Sequence, residues 1–135
     1  MSINKITICG SMIFFDEISE LSTSLSNQGV VVYAPIKEGS GVDYELLNDE
    51  DKATTKQGYL DKHIEKIKKS DAILVANYTK NSAENYIGAN TFLEMAFAYI
   101  LDKKIFILNS IPEQPNKVEI LGMKPIVLNG DISKI

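Results

Sequence analysis

Sulfur and imidazole ligands are nearly missing from this chain: among 135 residues there is one cysteine, Cys9, and one histidine, His63. A lone cysteine cannot close an internal disulfide, which fits a reducing compartment, and the two residues are too few for a zinc-ligand cluster. No metal and no cofactor are expected on this basis. Cys9 lies in the apolar run Ile6-Thr7-Ile8-Cys9 and reads as a buried structural thiol. A basic surface is missing as well. Lysines are spread along the chain and the formal net charge is −4, so no cationic stripe exists to neutralise a phosphodiester backbone, and polymeric DNA or RNA is not the expected partner. A small anion is still admissible, because backbone amides at a helix start bind anions without net positive charge. No apolar run approaches the roughly 18 residues that span a bilayer, and the amino terminus lacks the basic segment and long apolar stretch of a secretory signal. The cytoplasm is the expected location, with no membrane partner. Internal repeats, low-complexity tracts and domain linkers are also lacking.

What is present is the composition of an ordinary globular protein, 44% hydrophobic and 24% charged, at a length that supports one core and a single domain over residues 1–135. Short apolar runs rich in β-branched residues recur at Lys5 to Cys9, Val30 to Ala34, Ala72 to Asn77, Lys104 to Asn109 and Pro125 to Leu128, and each reads as a buried strand. Between the first two, Ile18, Leu21 and Leu25 repeat at helical spacing, with Asp16 as N-cap and Gly29 as stop. Leu60, Ile64 and Ile67 mark a second helix, and Thr91 to Leu101 a third that is strongly apolar. This alternation predicts an α/β three-layer sandwich with a five-stranded parallel sheet, flavodoxin-like (Rossmann-like), in the order 2-1-3-4-5. Its ligand crevice then opens at the carboxyl ends of strands 1 and 3, which selects the loops Gly10 to Phe15 and Asn77 to Asn90. From Lys37 to Gly58 the chain turns polar, with Gly39-Ser40-Gly41 and an acidic patch at Asp49, Glu50 and Asp51. That stretch reads as a long excursion with at most a helical turn, either a lid over a site or an exposed insertion.

Two features of the selected loops bear on chemistry. Gly10, Ser11 and Met12 follow strand 1, where a glycine permits close backbone approach and a serine hydroxyl stands at a helix start, a seat for a phosphate or a sugar and equally an ordinary strand-to-helix turn. Glu94 interrupts Phe92, Leu93, Met95, Ala96, Phe97 and Ala98, and a carboxylate in such company requires a reason. Thr91-Phe92-Leu93-Glu94 matches a capping box, in which the carboxylate returns to the amide of Thr91. The alternative is a carboxylate at the crevice mouth, facing the strand 1 loop and able to attack an anomeric carbon through an oxocarbenium-like transition state. Asn77, Asn85, Asn90 and Asn109 stand at strand ends or in the crevice loops, placed to bond sugar hydroxyls or base edges, though each is also a common turn residue.

Together these segments resemble the nucleoside 2-deoxyribosyltransferase family, including its branch of 2′-deoxynucleoside 5′-monophosphate N-hydrolases. The resemblance covers nearly the whole chain and rests on Ile6-Thr7-Ile8-Cys9-Gly10-Ser11, on Ser70-Asp71-Ala72-Ile73-Leu74-Val75-Ala76-Asn77, on the run from Gly88 to Ala98, and on Leu108-Asn109-Ser110-Ile111-Pro112-Glu113. It implies that Glu94 is the nucleophile of a glycosyl-enzyme intermediate resolved by a second base or by water. It also implies that Gly10, Ser11 and Met12 cradle the sugar or its 5′ substituent, that Gly88 to Asn90 contact the sugar, and that a homodimer or larger homo-oligomer shares its sites. The implied partner is a small-molecule nucleoside or nucleotide. One position departs from the family: the aspartate near the helix before strand 3 is replaced by His63, with Asp61 two residues away. A histidine of pKa about 6.5 can assist the departing base near neutrality; the alternative is an exposed helix residue beside Lys62 and Glu65. A carboxy-terminal extension that closes the site in other members is not expected after the fifth strand. The motifs carry no arginine or lysine, which favours transfer between nucleosides over dependence on a phosphate. The competing reading from another class is a non-catalytic nucleotide-binding module with Glu94 as a cap.

Overall fold

A computed structural model of the chain describes residues 2–35 and 44–135. Five parallel strands, β1 (Lys5–Cys9), β2 (Val31–Tyr33), β3 (Ala72–Val75), β4 (Lys104–Ile107) and β5 (Ile126–Val127), form one sheet in the order β2-β1-β3-β4-β5. Four helices connect them: α1 (Phe15–Asn27), α2 (Asp49–Lys68), α3 (Ala89–Ile100) and α4 (Lys117–Gly122). This is the α/β order read from the sequence. The cause is visible in the strand side chains, which are apolar on both faces. Ile6, Ile8, Leu74, Phe106 and Leu108 enter one cluster, while Cys9, Ile73, Val75, Ile105 and Ile107 enter the other, as the two-residue period of a strand dictates.

The first cluster is covered by Ile18, Leu21 and Leu25 of α1 and by Ile132 and Ile135 near the carboxy terminus. The second is covered by Ile67 of α2, Met95 and Ala98 of α3, and Ile120 of α4. Full burial of each such aliphatic side chain is worth about 2 kcal/mol. The amino ends of β1 and β3, opposite the crevice, are fastened by Asp71, whose Oδ2 accepts the amides of Asn4 (2.8 Å) and Lys5 (3.0 Å). Those two donors, Lys5 first, hold its carboxyl below the usual carboxylate range.

Three local expectations are corrected and one holds. Asp16 is not the cap of α1: Ser11 caps a 3-10 turn, Met12–Phe14, that runs directly into α1, and Asp16 lies in the first helical turn, where its charge complements the helix dipole. Gly29 does end the helix, in the left-handed conformation at φ 87°. The third helix begins at Ala89 with Gly88 as N-cap, so Thr91 lies inside it and no capping box forms. The polar excursion is largely helix from Asp49 onward: Asn48 caps α2 by accepting the amide of Asp51 at 2.8 Å, and the acidic patch supplies its first turn. The earlier part of that stretch, with Gly39, Ser40, Gly41 and Val42, lies outside the described residues.

α2 carries one weak point, Gly58, exposed in mid-helix with nothing within 4 Å of the position a Cβ would take. Gly58→Ala is therefore expected to stabilise the fold by about 0.5–1 kcal/mol. Urea unfolding reads this as a higher midpoint at unchanged slope, and a lowered midpoint would contradict the placement of this residue in an unobstructed helix.

Candidate active site

The sheet order changes direction at β1 and β3, so chain leaving these adjacent strands diverges and leaves a crevice at their carboxyl ends. Gly10, directly after β1, is held there by space: a Cβ would stand 3.1 Å from Cδ1 of Ile18 and 3.2 Å from the carbonyl oxygen of Ala76. Met12 and Ser11 follow, with Ser11 Oγ accepting the amide of Ile13 at 3.4 Å. Across the crevice α3 starts at Ala89, after the N-cap Gly88, which offers no side-chain cap to its first turn. These two segments, Gly10 to Met12 and Gly88 to Thr91, line one cavity of about 530 Å³ together with Lys56, Tyr59, Lys80 and Tyr86. The sequence-selected residues Gly10, Ser11, Met12, Gly88 and Asn90 thus share a single cavity.

Lys56 and Tyr59 come from α2, and Lys80 and Tyr86 from the loop between β3 and α3. None of the four was singled out in the sequence. Lys56 lies 5.4 Å from the ring centre of Tyr44 and 5.7 Å from that of Tyr59, while Lys80 lies 5.4 Å from that of Tyr86. The signal that was available is the spacing of Lys56, Tyr59 and His63 on α2, three and four residues apart and hence on one face.

Glu94 of α3 and His63 of α2 meet in the interior. His63 Nδ1–H donates to Oε2 of Glu94 at 2.9 Å, and the two residues are only 4% and 1% exposed. The ring of Tyr59 lies over His63 with centroids 4.2 Å apart and planes tilted by 34°. Two expectations change accordingly. His63 is not an exposed helix residue, because the face marked by Leu60, Ile64 and Ile67 includes position 63 and turns it toward α3. Glu94 does not stand open at the crevice mouth; starting the helix at Ala89 puts it in the second turn, covered and facing His63. Asp61 is exposed, two positions along α2 from His63. It borders a second cavity, about 620 Å³, bounded by Tyr33, Tyr59, His63, Lys66 and Lys69. With Nδ1 occupied by Glu94, His63 presents only Nε2 to that cavity.

Asn77 and Asn109 are engaged elsewhere. Asn77 Nδ2 donates to the carbonyls of Asn109 (3.2 Å) and Ser110 (3.1 Å), the amide of Asn109 donates to Asn77 Oδ1 at 2.9 Å, and Asn109 Nδ2 returns to the carbonyl of Asn77 at 3.1 Å. The two side chains clamp the ends of β3 and β4 together, and every donor of Asn77 is spent on that clamp. Asn85 joins it by donating to the carbonyl and the hydroxyl of Ser110. Among the described residues no group of three His, Cys, Asp or Glu side chains is placed to hold a metal ion, and no helix is long and apolar enough to cross a membrane.

No family profile and no curated protein matches the chain in sequence. Among solved structures it is similar to a 2-deoxyribosyltransferase from the psychrotolerant bacterium Bacillus psychrosaccharolyticus, with 20% identity over 76% of this chain and 70% of that one and a TM-score of 0.49. At that distance no residue role transfers.

The buried pair makes a stability prediction that needs no substrate. His63→Ala removes the partner of a buried carboxylate and should cost about 3 kcal/mol or more, with part of the loss recovered in the His63→Ala/Glu94→Leu double variant, where the stranded charge is gone too. Equal stability of wild type and His63→Ala in denaturant titration would show that the pair is not formed.

Proposed function

We propose that the chain is an N-glycosidic enzyme acting on 2′-deoxynucleosides or their 5′-monophosphates, with Glu94 as nucleophile and His63 as the acid that assists the departing base. The observation that carries this reading is the buried His63–Glu94 hydrogen bond, covered by Tyr59, a residue that also lines the cavity bounded by the strand 1 loop and the start of α3. A carboxylate kept from water among apolar side chains is costly to the fold, by several kcal/mol before its partner offsets it. Such a cost is characteristic of a group retained for chemistry. The sequence motifs that resemble nucleoside 2-deoxyribosyltransferases supply the reaction class.

In this reading the sugar and its 5′ substituent occupy the polar cavity against Gly10, Ser11, Met12 and Gly88 to Asn90, and the base reaches toward His63. A rotation of the Glu94 side chain away from His63 brings an oxygen to the anomeric carbon. The new C–O bond forms as the C1′–N bond breaks, its electron pair leaves with the base, and His63 in its protonated form delivers a proton to that base. A second base or a water then attacks the same carbon and releases Glu94. Asp61, exposed, has no part in these steps, and Asn77 and Asn109 act by holding the loop ends rather than by touching the substrate.

A specific observation favours the monophosphate as donor. The motifs themselves carry no basic residue, yet Lys56 and Lys80 reach the same cavity from α2 and from the β3–α3 loop. Two ammonium groups beside a helix start without a side-chain cap form a setting for a phosphate dianion.

The test is incubation with 2′-deoxynucleosides and their 5′-monophosphates, with and without a free acceptor base, followed by chromatography. Release of free base is expected, together with a new nucleoside or nucleotide where transfer operates. Glu94→Gln, which keeps a hydrogen-bonding oxygen but loses the charge, should reduce turnover about a thousandfold or more. Binding without base release across the whole panel would make the chain a nucleotide-binding module instead. A separate comparison addresses the lysines: Lys56→Glu or Lys80→Glu is expected to raise KM for the monophosphate about tenfold more than KM for the nucleoside. Equal changes for both substrates would leave the lysines no role in reading the 5′ group.

A further inference from the structure

Side-chain amides stitch together the loops that follow β3 and β4, and one stitch beyond the asparagine clamp lies next to the cavity wall. The amide of Ile87 donates to Gln114 Oε1 at 3.2 Å, and Gln114 Nε2 donates back to the carbonyl of Ile87 at 3.0 Å. Gln114 Nε2 also donates to Asn116 Oδ1 at 2.5 Å. The orientation of the glutamine follows from these partners, since turning its amide over would set like against like at both contacts with Ile87. Ile87 is buried, with its side chain in the second apolar cluster, yet it lies outside every strand and helix. A buried residue of that kind has no ladder to satisfy its N–H and C=O. Gln114 supplies both partners, exchanging two hydrogen bonds with one residue as opposed residues of an antiparallel ladder do.

The residues on either side of Ile87 belong to the cavity: Tyr86 precedes it, and Gly88, Ala89 and Asn90 follow it along the wall. The ring of Tyr86 packs on Gly88 so closely that a Cβ there would stand 3.3 Å from Cε1, and Lys80 Nζ lies 5.4 Å from the centre of that ring. The carbonyl of Gly88 accepts the amide of Phe92 at 2.9 Å, so the first turn of α3 is built on the same peptide. Gln114 stands outside the cavity, but it grips the two peptide groups that lead from Tyr86 and into Gly88.

We propose that Gln114 is a positioning residue for the substrate wall from Tyr86 to Asn90, acting through the backbone of Ile87. The proposal rests on the reading of this cavity as the seat of the sugar and its 5′ substituent. Its physical content is directional. A helix start and a ring-held lysine favour a ligand only when they are aimed at it. Without the glutamine, the apolar side chain of Ile87 still anchors the segment to the core, but its two peptide groups are free to rotate. The aromatic ring, the lysine beside it and the helix start then lose their common reference. Glu94 and His63 keep their own hydrogen bond, so substrate binding suffers more than turnover.

Amide exchange and kinetics test this on the intact chain. Gln114→Met keeps the length and volume of the side chain and removes its hydrogen bonds. In that variant the Ile87 amide, followed by NMR, is expected to exchange about tenfold or more faster than in wild type, with the amides of β3 and β4 unchanged. With a 2′-deoxynucleoside 5′-monophosphate as substrate, KM is expected to rise about tenfold while kcat stays within about threefold. A merely structural residue gives the opposite split, because partial unfolding removes active molecules, lowers apparent kcat and leaves KM where it was. Where Gln114→Met does not fold by circular dichroism, Gln114→Glu takes its place: a carboxylate keeps an acceptor for the Ile87 amide but loses the donor to its carbonyl, and the same rise in KM is expected. Unchanged exchange at Ile87 in Gln114→Met overturns the clamp. An unchanged KM, or a loss confined to kcat, overturns the positioning role while the reading of the cavity stands. A wild-type protein that neither binds nor cleaves any nucleoside or nucleotide is a separate failure, which removes that reading and the positioning role with it, whatever the exchange rate at Ile87.

Discussion

The hydrogen bond between His63 and Glu94 is the contact around which this side of the molecule is organised. It joins α2 to α3 across the face of the sheet, inside an otherwise apolar layer formed by Ile67, Met95, Val75 and Ile107. Neither group could be buried alone, since an unpaired ionised carboxylate in that layer would cost several kcal/mol. Each is thus the condition for the other, and the relative placement of the two helices follows from the pairing. Tyr59, lying on the imidazole, is then carried into the wall of both neighbouring cavities.

The cavities themselves are consequences of topology. Because β1 and β3 are neighbours while their connections depart to opposite faces, the Gly10 loop and the start of α3 are left facing one another across the crevice. The asparagine clamp at Asn77 and Asn109 keeps the ends of β3 and β4 from drifting, which in turn holds the β3–α3 loop that carries Lys80 and Tyr86. The clamp at the strand ends and the lysine-bearing walls from α2 and the β3–α3 loop bound this cavity on different sides.

Much of the fold was legible in the chain because it rests on periodicity. Ile6 and Ile8, Leu74, Phe106 and Leu108 alternate as strands must, and Ile18, Leu21 and Leu25 repeat as a helix must. The residues that were misplaced had local chemistry that favoured a different answer. Asp16 has the right side chain for a cap, but Ser11 had already started a 3-10 turn. Thr91 and Glu94 have the spacing of a capping box, but Gly88 begins the helix earlier, and His63 offers the carboxylate a donor that no local pattern reveals. Asn77 and Asn109 looked like ligand-binding residues because they stand at strand ends, whereas their side chains satisfy each other's backbone.

By itself the sequence determined the order of elements, the parallel sheet, the two loops that meet at its crevice and the anomaly of a glutamate in an apolar helix, since all of these depend on the spacing of neighbours along the chain. Only the tertiary structure decided what that glutamate faces and that two distant lysines reach one cavity. Those are meetings between residues far apart in the chain, such as His63 with Glu94, 31 positions away. Such meetings are set by which helix faces the packing of the sheet turns together, a quantity that no local pattern carries.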